Sequence, residues 1–466
     1  MDTRAPHLSA PRRAALATIL VIVSTACGGT GREEHAPAVE RALAGTPSWI
    51  DRDGIGRRLW AIEKAFYEER GHLPAWIDGT DPTDALDHLL GALRDAEAHG
   101  LAPETYGYED LAAARGEADA GWLGAGFAPE RIPELDLRLT YAFLEHAADL
   151  AGWRPSPREV DRVWQLPAKK DDLAAVLREA LDGRGVREAL EGLAPSHPQY
   201  EGLQAALAGL REDGTEGPEA GRIRVNMERW RWAPRDLGER HILVNVPAYQ
   251  MQVIDGGAPA LAMRVIVGAP DTPTPLFSDE MAYVVFSPYW NIPESILREE
   301  TLPRVAGDPE YLSRSGIEVV GTSGEVVDAE AIDWENEEAL DGLRFRQVPG
   351  PENALGLVKF IFPNHFSVYL HDTPGDALFN RKARALSHGC VRVEKPVELA
   401  EYVLRDRSEW TRDRIATAME REEEQTVHLE DPLPVHLGYW TAWVNEDGSI
   451  TFFDDPYGLD RKQARR

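Results

Sequence analysis

The segments ILVNV at 242–246 and LAMRVIV at 261–267, with DGG at 255–257 between them, decide the fold class of the C-terminal half. Their apolar patterns extend over lengths that are typical of strands. An Asp-Gly-Gly sequence between two such runs is typical of a β-hairpin turn. We therefore predict a mostly β domain over 222–466.

Further strands, one helix and one insertion are predicted within this domain. The strand candidates are 283–286, 358–362, 367–370, 435–444 and 449–453. Pro396 favours the first turn of a helix, which we expect to end near Leu404. The stretch 294–350 is acidic, rich in loops and far longer than a normal strand connection. We expect an inserted subdomain there, either as a lid over a substrate or as a surface elaboration that touches none.

The N-terminal half is predicted to be helical. Ala, Leu, Glu and Arg dominate from about 51 to 215, and apolar residues recur at spacings of three and four. The spacing is clearest at Leu86, Leu89, Leu90 and Leu93. The acidic, polar stretch 211–218 is interpreted as a linker to the β domain. The predicted fold class is thus α+β, with a helical N-terminal domain followed by the mostly β domain.

The first 26 residues are typical of an export signal. Arg12 and Arg13 precede an apolar run over 14–26 that is shorter than the roughly 20 residues of a membrane-spanning helix. The sequence STAC that ends at Cys27 resembles a lipobox, so we expect a lipidated Cys27 followed by a tether over 27–50. The alternative is ordinary cleavage near residue 26. Either way, we expect the protein in the periplasm or cell envelope.

Charge narrows the class of ligand. The chain has 466 residues and a formal net charge of −29, which argues against nucleic acid as a partner. An anionic substrate would need a local group of cations. Such a group occurs at Arg381, Lys382, Arg384 and Arg392. For the first three, ordinary solvated surface charges are the alternative.

The chemistry is concentrated between His371 and Arg392. Because Cys27 and Cys390 are the two cysteines, acylation of Cys27 would leave Cys390 as a lone thiol. A nucleophilic thiol needs an imidazole within hydrogen-bond reach, and His371 follows a predicted strand that would fix its position. Gly389 permits a tight turn beside Cys390, and backbone N–H groups of such a turn are suited to an oxyanion hole.

At these residues the sequence resembles the L,D-transpeptidases of the YkuD type. Their signature is a His, about fifteen residues, and then Ser-His-Gly-Cys, which stands here as His371 and SHGC at 387–390. The segments IRVNMERWRW at 223–232 and YWTAW at 439–443 are similar to motifs of the large, YcbB-like subgroup. The helical segment also resembles the N-terminal scaffold of that subgroup.

The resemblance implies a role for each residue of the motif. Cys390 would be the nucleophile and His371 the base, its ring oriented by a backbone carbonyl or by Asp372. The expected site-shaping and oxyanion-hole residues are His388, Gly389 and Ser387, with the N–H of Cys390, and the expected substrate-binding residues are Arg392 and Asp372. The implied reaction releases D-alanine from a tetrapeptide stem of peptidoglycan and forms a 3-3 cross-link through a Cys390 thioester. Carbapenems are expected inhibitors.

Three other interpretations were weighed. Water could resolve the acyl-enzyme, which would make the protein a carboxypeptidase or an amidase with the same nucleophile. A non-catalytic wall-binding lipoprotein would leave the His and Cys arrangement without a purpose. His365, His371, His388 and Cys390 are potential zinc ligands, but they lack the paired short spacings of a structural zinc site. We therefore expect no metal and no cofactor.

Overall fold

The structure is a computed structural model that describes residues 31–50, 53–120, 126–308, 310–334 and 336–464. The predicted signal peptide and Cys27 lie outside these residues. Among the residues described, no helix has the length and apolar character needed to cross a membrane. The prediction of an α+β fold is confirmed, with helices in the N-terminal half and a large sheet in the C-terminal half.

The N-terminal domain consists of helices around one central helix, α5. Its helices are α1 (Ala36–Leu43), α2 (Gly54–Glu69), α3 (Asp84–Arg94), α4 (Tyr108–Ala120), α5 (Ile132–Leu150), α6 (Pro157–Val160), α7 (Leu173–Glu179), α8 (Val186–Glu191) and α9 (Pro198–Glu212). Two short strands, β1 (Ile77–Asp78) and β2 (Asp81–Pro82), pair antiparallel. Nearly every residue of α5 is buried, because the other helices surround it.

The prediction of a tether over 27–50 is wrong for 31–50. Helix α1 packs against α5, and Val39, Leu43 and Ile50 are buried in the core of the helical domain. The apolar residues of this segment are few, but they lie on one face of α1 and therefore reach the core together.

The boundary between the two domains also differs from the prediction. Residues 213–217 form only a turn, and α10 (Pro218–Trp232) follows where the β domain was predicted to begin. Every residue from Asn226 to Trp232 is buried, including Arg229 and Arg231. Helix α10 packs against α9 and against the C-terminal hairpin, so the two domains share an apolar core.

The C-terminal half is built on one nine-stranded sheet that closes on itself. Its strands are β3 (Arg240–Asn245), β4 (Gln250–Asp255), β5 (Ala258–Gly268), β6 (Ser278–Phe286), β11 (Val358–Ile361), β12 (Leu370–His371), β13 (Ala385–Ser387), β14 (Val391–Val393) and β15 (Gln425–Gly438). Strand β5 pairs with β4 through its first half and with β14 through its second half. Eight strands thereby form a closed ring around an apolar core, and β13 is added outside on β5.

Residues between β6 and β11 form a separate layer with its own small core. A four-stranded sheet consists of β7 (Trp290–Asn291), β8 (Ile317–Val320), β9 (Val326–Val327) and β10 (Arg344–Gln347), in the order β7-β10-β8-β9. The helices of this layer are α11 (Glu294–Ile296), α12 (Leu302–Gly307) and α13 (Tyr311–Arg314), and a π-helical turn joins α11 to α12. We call residues 290–347 the insert.

The C-terminal region completes the contact between the helical domain and the β domain. It contains α14 (Pro396–Val403), α15 (Arg412–Glu420), β16 (Ala442–Val444), β17 (Ile450–Phe452) and α16 (Leu459–Gln463). The side chain of Gln199 in α9 bonds both the N–H and the carbonyl of Val444 in β16. The C-terminal hairpin is therefore tied to the helical domain.

Most of the local predictions in the β half are confirmed. The hairpin turn lies at Gly256 and Gly257, both with positive φ, and Asp255 pairs with Ala258 across it. The helix that begins at Pro396 ends at Val403. The predicted strand 367–370 is wrong for 367–369, because the Asn364 side chain bonds both the N–H and the carbonyl of Val368 and holds a loop there, and the strand begins at Leu370.

Candidate active site

Two adjacent parallel strands place the motif residues on one face. In the pairing of β12 with β14, Leu370 lies opposite Val391 and His371 lies opposite Arg392. Leu370 and Val391 are fully buried in the barrel core. Because side chains alternate along strands, His371 and Arg392 point to the opposite face.

That face forms the floor of an open pocket of about 270 Å³. The side chains that line it from the barrel include Tyr369, His371, Ser387, Cys390 and Arg392. The predicted nucleophile and the predicted base are therefore brought to one pocket, although 18 residues separate them in the chain.

The turn before β14 presents Cys390 at the edge of the barrel. Gly389 has φ of +114°, which a residue with a side chain rarely adopts. Ser387 Oγ donates to the Cys390 carbonyl at 2.5 Å and accepts from the Gly389 N–H at 3.2 Å. Thr274 Oγ1 donates to the Gly389 carbonyl at 2.8 Å. The sequence Ser-His-Gly-Cys thus encodes a turn that is closed by its own serine.

His371 is buried, and its tautomer is fixed by a backbone carbonyl. The ring Nδ1 lies 2.6 Å from the Asp372 carbonyl oxygen. A carbonyl only accepts, so Nδ1 carries the proton and Nε2 holds the lone pair of the neutral ring. Burial and the charge of Arg392 lower the pKa of His371 to about 3. The imidazole is therefore neutral at physiological pH.

Cations lie on both sides of His371 across the sheet. Arg392 of β14 is its neighbour on one side, and Lys359 of β11 is its neighbour on the other. Lys359 is itself paired with Glu424 at 3.6 Å. The two positive charges disfavour protonation of the imidazole, in addition to the effect of burial.

Cys390 is a free, half-buried thiol. Its Sγ lies 3.7 Å from the Ser367 carbonyl oxygen. Burial raises the pKa of the Cys390 thiol, whereas hydrogen bonds from Tyr369 and the charge of Arg392 lower it in part. The Tyr369 side chain also interacts with His371, with ring centroids 5.7 Å apart in an edge-on arrangement. Tyr369 thus contacts both the predicted nucleophile and the predicted base.

Arg392 is a half-buried cation, and no carboxylate among the described residues forms an ion pair with it. Its Nε is buried and makes no hydrogen bond within the part of the chain that the structure describes. Burial lowers the pKa of Arg392, and the Cys390 thiolate would raise it. A half-buried guanidinium of this kind is suited to a carboxylate ligand, to which it presents several donors.

The insert contributes one wall of the pocket. Trp290, Pro293, Ser295 and Ile296 line it. The insert also reaches the motif directly, because Glu300 Oε1 lies 2.8 Å from His388 Nε2. The insertion was predicted to be either a lid over a substrate or a surface elaboration that touches none. These contacts favour the lid, because the insert lines the pocket.

Two family models match this chain. A scaffold domain matches residues 63–207, and a YkuD-type L,D-transpeptidase catalytic domain matches residues 239–423. Residues 239–423 form a YkuD-type L,D-transpeptidase catalytic domain. The order of a scaffold domain before this catalytic domain fits a YcbB-like L,D-transpeptidase.

Individual relatives match parts of this chain. A Haemophilus influenzae protein, provisionally named an L,D-transpeptidase, is 35% identical over 283 residues, which are 61% of this chain. The chain spans 57% of the length of that relative. A solved L,D-transpeptidase from Mycobacterium smegmatis is 14% identical over 43% of this chain and 58% of its own, with a TM-score of 0.19. L,D-transpeptidase 1 of Mycobacterium tuberculosis is 13% identical over 43% of this chain and 60% of its own, with a TM-score of 0.18. TM-scores this low support no structural inference.

Two sequence-based assignments in the L,D-transpeptidase motif need correction. The carboxylate of Asp372 accepts from the backbone N–H groups of Leu357 and Thr373, so it holds a loop and does not line the pocket. The Gly389 N–H is donated to Ser387 and is not free for an oxyanion. The Cys390 N–H has no acceptor among the described residues and remains the available donor of the turn.

The predicted cation group is dispersed. Arg384 donates to the carbonyls of Tyr249, Val265 and Arg381, which makes it a structural residue. Arg381 and Lys382 are exposed and do not line the pocket, unlike Arg392.

Three residues of the site were missed by sequence reasoning. Tyr369 and Lys359 stand in predicted strands, and the alternation that places His371 on one face also places Tyr369 there. The sequence therefore contained a signal for Tyr369. It contained no signal for Glu300, because the contact of Glu300 with His388 depends on how the insert folds over the barrel.

Proposed function

We propose that this protein is a peptidoglycan L,D-transpeptidase that forms 3-3 cross-links through a thioester on Cys390. The observation that carries the proposal is the arrangement of Cys390, neutral His371 and unpaired Arg392 in one pocket of a YkuD-type catalytic domain. Each of the three supplies a different requirement of acyl transfer to a stem peptide: nucleophile, base and carboxylate ligand.

In the first step, His371 Nε2 takes the proton of the Cys390 thiol as Sγ attacks the substrate carbonyl. That carbonyl belongs to the third residue of the stem, a diaminopimelate, at its L-centre. The raised pKa of Cys390 means that the thiol enters the reaction protonated, so a neutral base is required. The tetrahedral intermediate then collapses, the C–N bond breaks, and the imidazolium gives its proton to the departing D-alanine amine.

In the second step, the side-chain amine of another stem attacks the thioester. His371 accepts a proton from this amine, the C–S bond breaks, and the Cys390 thiolate is reprotonated. The new amide joins two third-position residues, which is a 3-3 cross-link. Water in place of the amine would give a shortened stem, which is the carboxypeptidase alternative.

The remaining residues of the pocket are assigned to binding of the substrate and to stabilisation of the developing oxyanion. The Arg392 guanidinium is suited to a stem carboxylate, because it is half-buried and its Nε has no acceptor among the described residues. The Cys390 N–H has no acceptor among the described residues, and the Tyr369 hydroxyl bonds the Cys390 thiol, so both donors are assigned to the developing oxyanion. The insert wall, with Trp290 and Ile296, limits the access of water.

Location and inhibition follow from the same proposal. An enzyme of peptidoglycan acts outside the cytoplasm, which agrees with the predicted signal and with attachment to a membrane through lipidated Cys27. A carbapenem, as a strained acyl donor, is expected to acylate Cys390.

The test is a product analysis. Purified protein is incubated with disaccharide tetrapeptide, and the muropeptides are identified by mass spectrometry beside a Cys390→Ala sample. Cross-linked dimers and free D-alanine that depend on Cys390 are expected. Shortened monomers without dimers would show a hydrolase and not a transferase. Unchanged tetrapeptide would overturn both of these functions.

A further inference from the structure

A second pocket lies where the helical domain meets the catalytic domain. It has a volume of about 410 Å³, within the range of roughly 300–1,000 Å³ that is typical of ligand sites. Its apolar walls include Trp153 and Trp232, and Arg58, Arg158 and Lys169 also line it. Glu159 is the acidic residue among those that line it.

The excess of cations is unusual for this chain, which has 79 acidic and 50 basic residues. Over the described residues, none of the three cations forms an ion pair with a carboxylate. Arg58 lies over the Trp153 ring at 3.8 Å, Arg158 donates to Gln165 Oε1 at 3.1 Å, and Lys169 donates to the Ala233 carbonyl at 2.7 Å.

The nearby carboxylates are already engaged. Glu159 accepts from the Ser156 N–H at 3.2 Å as part of a helix cap. Asp171 pairs with Arg235 at 3.1 Å and accepts from Trp153 Nε1 at 3.3 Å. Neither carboxylate neutralises the pocket.

Lys169 is the most buried of the three cations. Burial, with the charge of Arg235, lowers the pKa of Lys169 to about 8. A partly buried ammonium group whose nearest partner is a neutral carbonyl is stabilised by any anion that enters the pocket. Charge complementarity therefore points to an anionic ligand with an apolar body.

We propose that this pocket binds a carboxylate-bearing peptide stem of peptidoglycan, separate from the stem that reacts at Cys390. The proposal rests on the proposed function, which supplies a polymer with many such stems. Because the lactyl carboxyl of each sugar is consumed in the amide link to its stem, the carboxylates of the polymer belong to the peptides. The methyl groups of their alanines match the tryptophan and proline walls.

The experiment uses the full chain with Cys390 acylated by a carbapenem, so that the catalytic pocket is occupied. Free tetrapeptide stem is titrated in, and binding is followed by tryptophan fluorescence, since Trp153 and Trp232 line the site. Lys169→Met is expected to weaken binding about tenfold or more, through loss of a charge-assisted bond. Lys170→Met is the matched control, because Lys170 is exposed and does not line the pocket.

Each result decides the proposal. Equal losses in the two variants, or no loss in Lys169→Met, would overturn it. Inorganic phosphate that competes as strongly as the stem would show a simple anion site and would also overturn it. Should Lys169→Met fail to fold by circular dichroism, Arg158→Gln takes its place, with the same expected weakening.

A failure of the proposed function can be distinguished from a failure of this inference. If a carbapenem does not acylate Cys390, the titration is repeated on Cys390→Ala protein. Binding of the stem that depends on Lys169 would then persist without the catalytic chemistry, whereas its absence would overturn this inference.

Discussion

The charge state of His371 is the central feature at the scale of single residues. An isolated imidazole titrates near pH 6.5, but here burial and flanking cations keep the ring neutral to about pH 3. A neutral imidazole is suited to receive a proton from a protonated thiol. In the proposed mechanism, the site therefore uses a general base and not a preformed thiolate and imidazolium pair.

Lys359 contributes to this state, because it lies opposite His371 across the sheet. Lys359→Met removes a positive charge, so the pKa of His371 should rise. The base form would then be lost at a higher pH. The pH dependence of Cys390 acylation by a carbapenem is the measurement, and its acid limb should move to higher pH in Lys359→Met but not in Lys359→Arg. Identical profiles for all three proteins would contradict the electrostatic role.

Tyr369 is expected to act on both the thiol and the oxyanion. Tyr369→Phe removes a hydrogen bond that lowers the pKa of Cys390, so alkylation of the thiol by iodoacetamide should require a higher pH. If the hydroxyl also serves the oxyanion, the acylation rate should fall by about 10²-fold. Tyr402→Phe, which changes a residue bonded to Asp255 away from the pocket, is the control. An unchanged alkylation profile would remove Tyr369 from the mechanism.

At the scale of elements, the insert and the Ser-His-Gly-Cys turn are joined by the contact of Glu300 with His388. Glu300 also pairs with Arg304 at 3.2 Å within the insert, so its carboxylate links the helical turns of the insert to His388. The insert wall that contains Trp290 and Ile296 is thereby held beside the motif. Its position, and not only its presence, should affect substrate binding.

Glu300→Gln weakens this link while it preserves the size of the side chain. Because the pair is partly exposed, its contribution is about 0.2–1 kcal/mol, so KM for the tetrapeptide should rise about twofold to fivefold with little change in kcat. Steady-state kinetics of D-alanine release measure both constants. Glu299→Gln, on the exposed side of the same segment, should behave like the wild type. A fall in kcat alone would assign Glu300 to the chemical step.

At the scale of the whole molecule, the scaffold and catalytic domains are held together by α10 and the C-terminal residues around it. Arg229 is 1% exposed and pairs with Asp460 of α16 at 2.7 Å. It also donates to Gln463 at 3.1 Å. Arg231, in the same helix, donates to the His99 carbonyl of the helical domain at 2.8 Å. Helix α10 thus joins both halves through buried charged groups.

Arg229→Met should therefore be destabilising, because Asp460 loses its buried partner and keeps the partly exposed Arg222, at 3.4 Å. The expected loss is about 3 kcal/mol in the free energy of unfolding, measured by urea denaturation. Arg224→Met, also in α10, breaks an exposed pair with Glu216, which precedes the helix, and should cost less than about 1 kcal/mol. Equal losses in the two variants would contradict the role of the buried pair.

How far the sequence predicts the structure depends on the range of the interactions. Local signals were sufficient for the hairpin at Gly256 and for the Cys390 turn, because glycine conformation and strand alternation act over a few residues. Helix α10 was not predicted. Arg229 and Arg231 are buried because residues distant in the sequence pair with them, and charged residues at buried positions obscure the apolar periodicity of a helix. The loop before Tyr369 was missed because Asn364 satisfies backbone groups that a strand would otherwise pair.

The most direct test of the account is the detection of the acyl-enzyme. Protein is mixed with disaccharide tetrapeptide, quenched in acid and digested, and the Cys390 peptide is examined by mass spectrometry. We expect an added mass equal to the substrate minus D-alanine on that peptide, with at least one D-alanine released per adduct, and neither in Cys390→Ala. Release of D-alanine by Cys390→Ala, or an adduct on another residue, would contradict the assignment of Cys390 as the nucleophile.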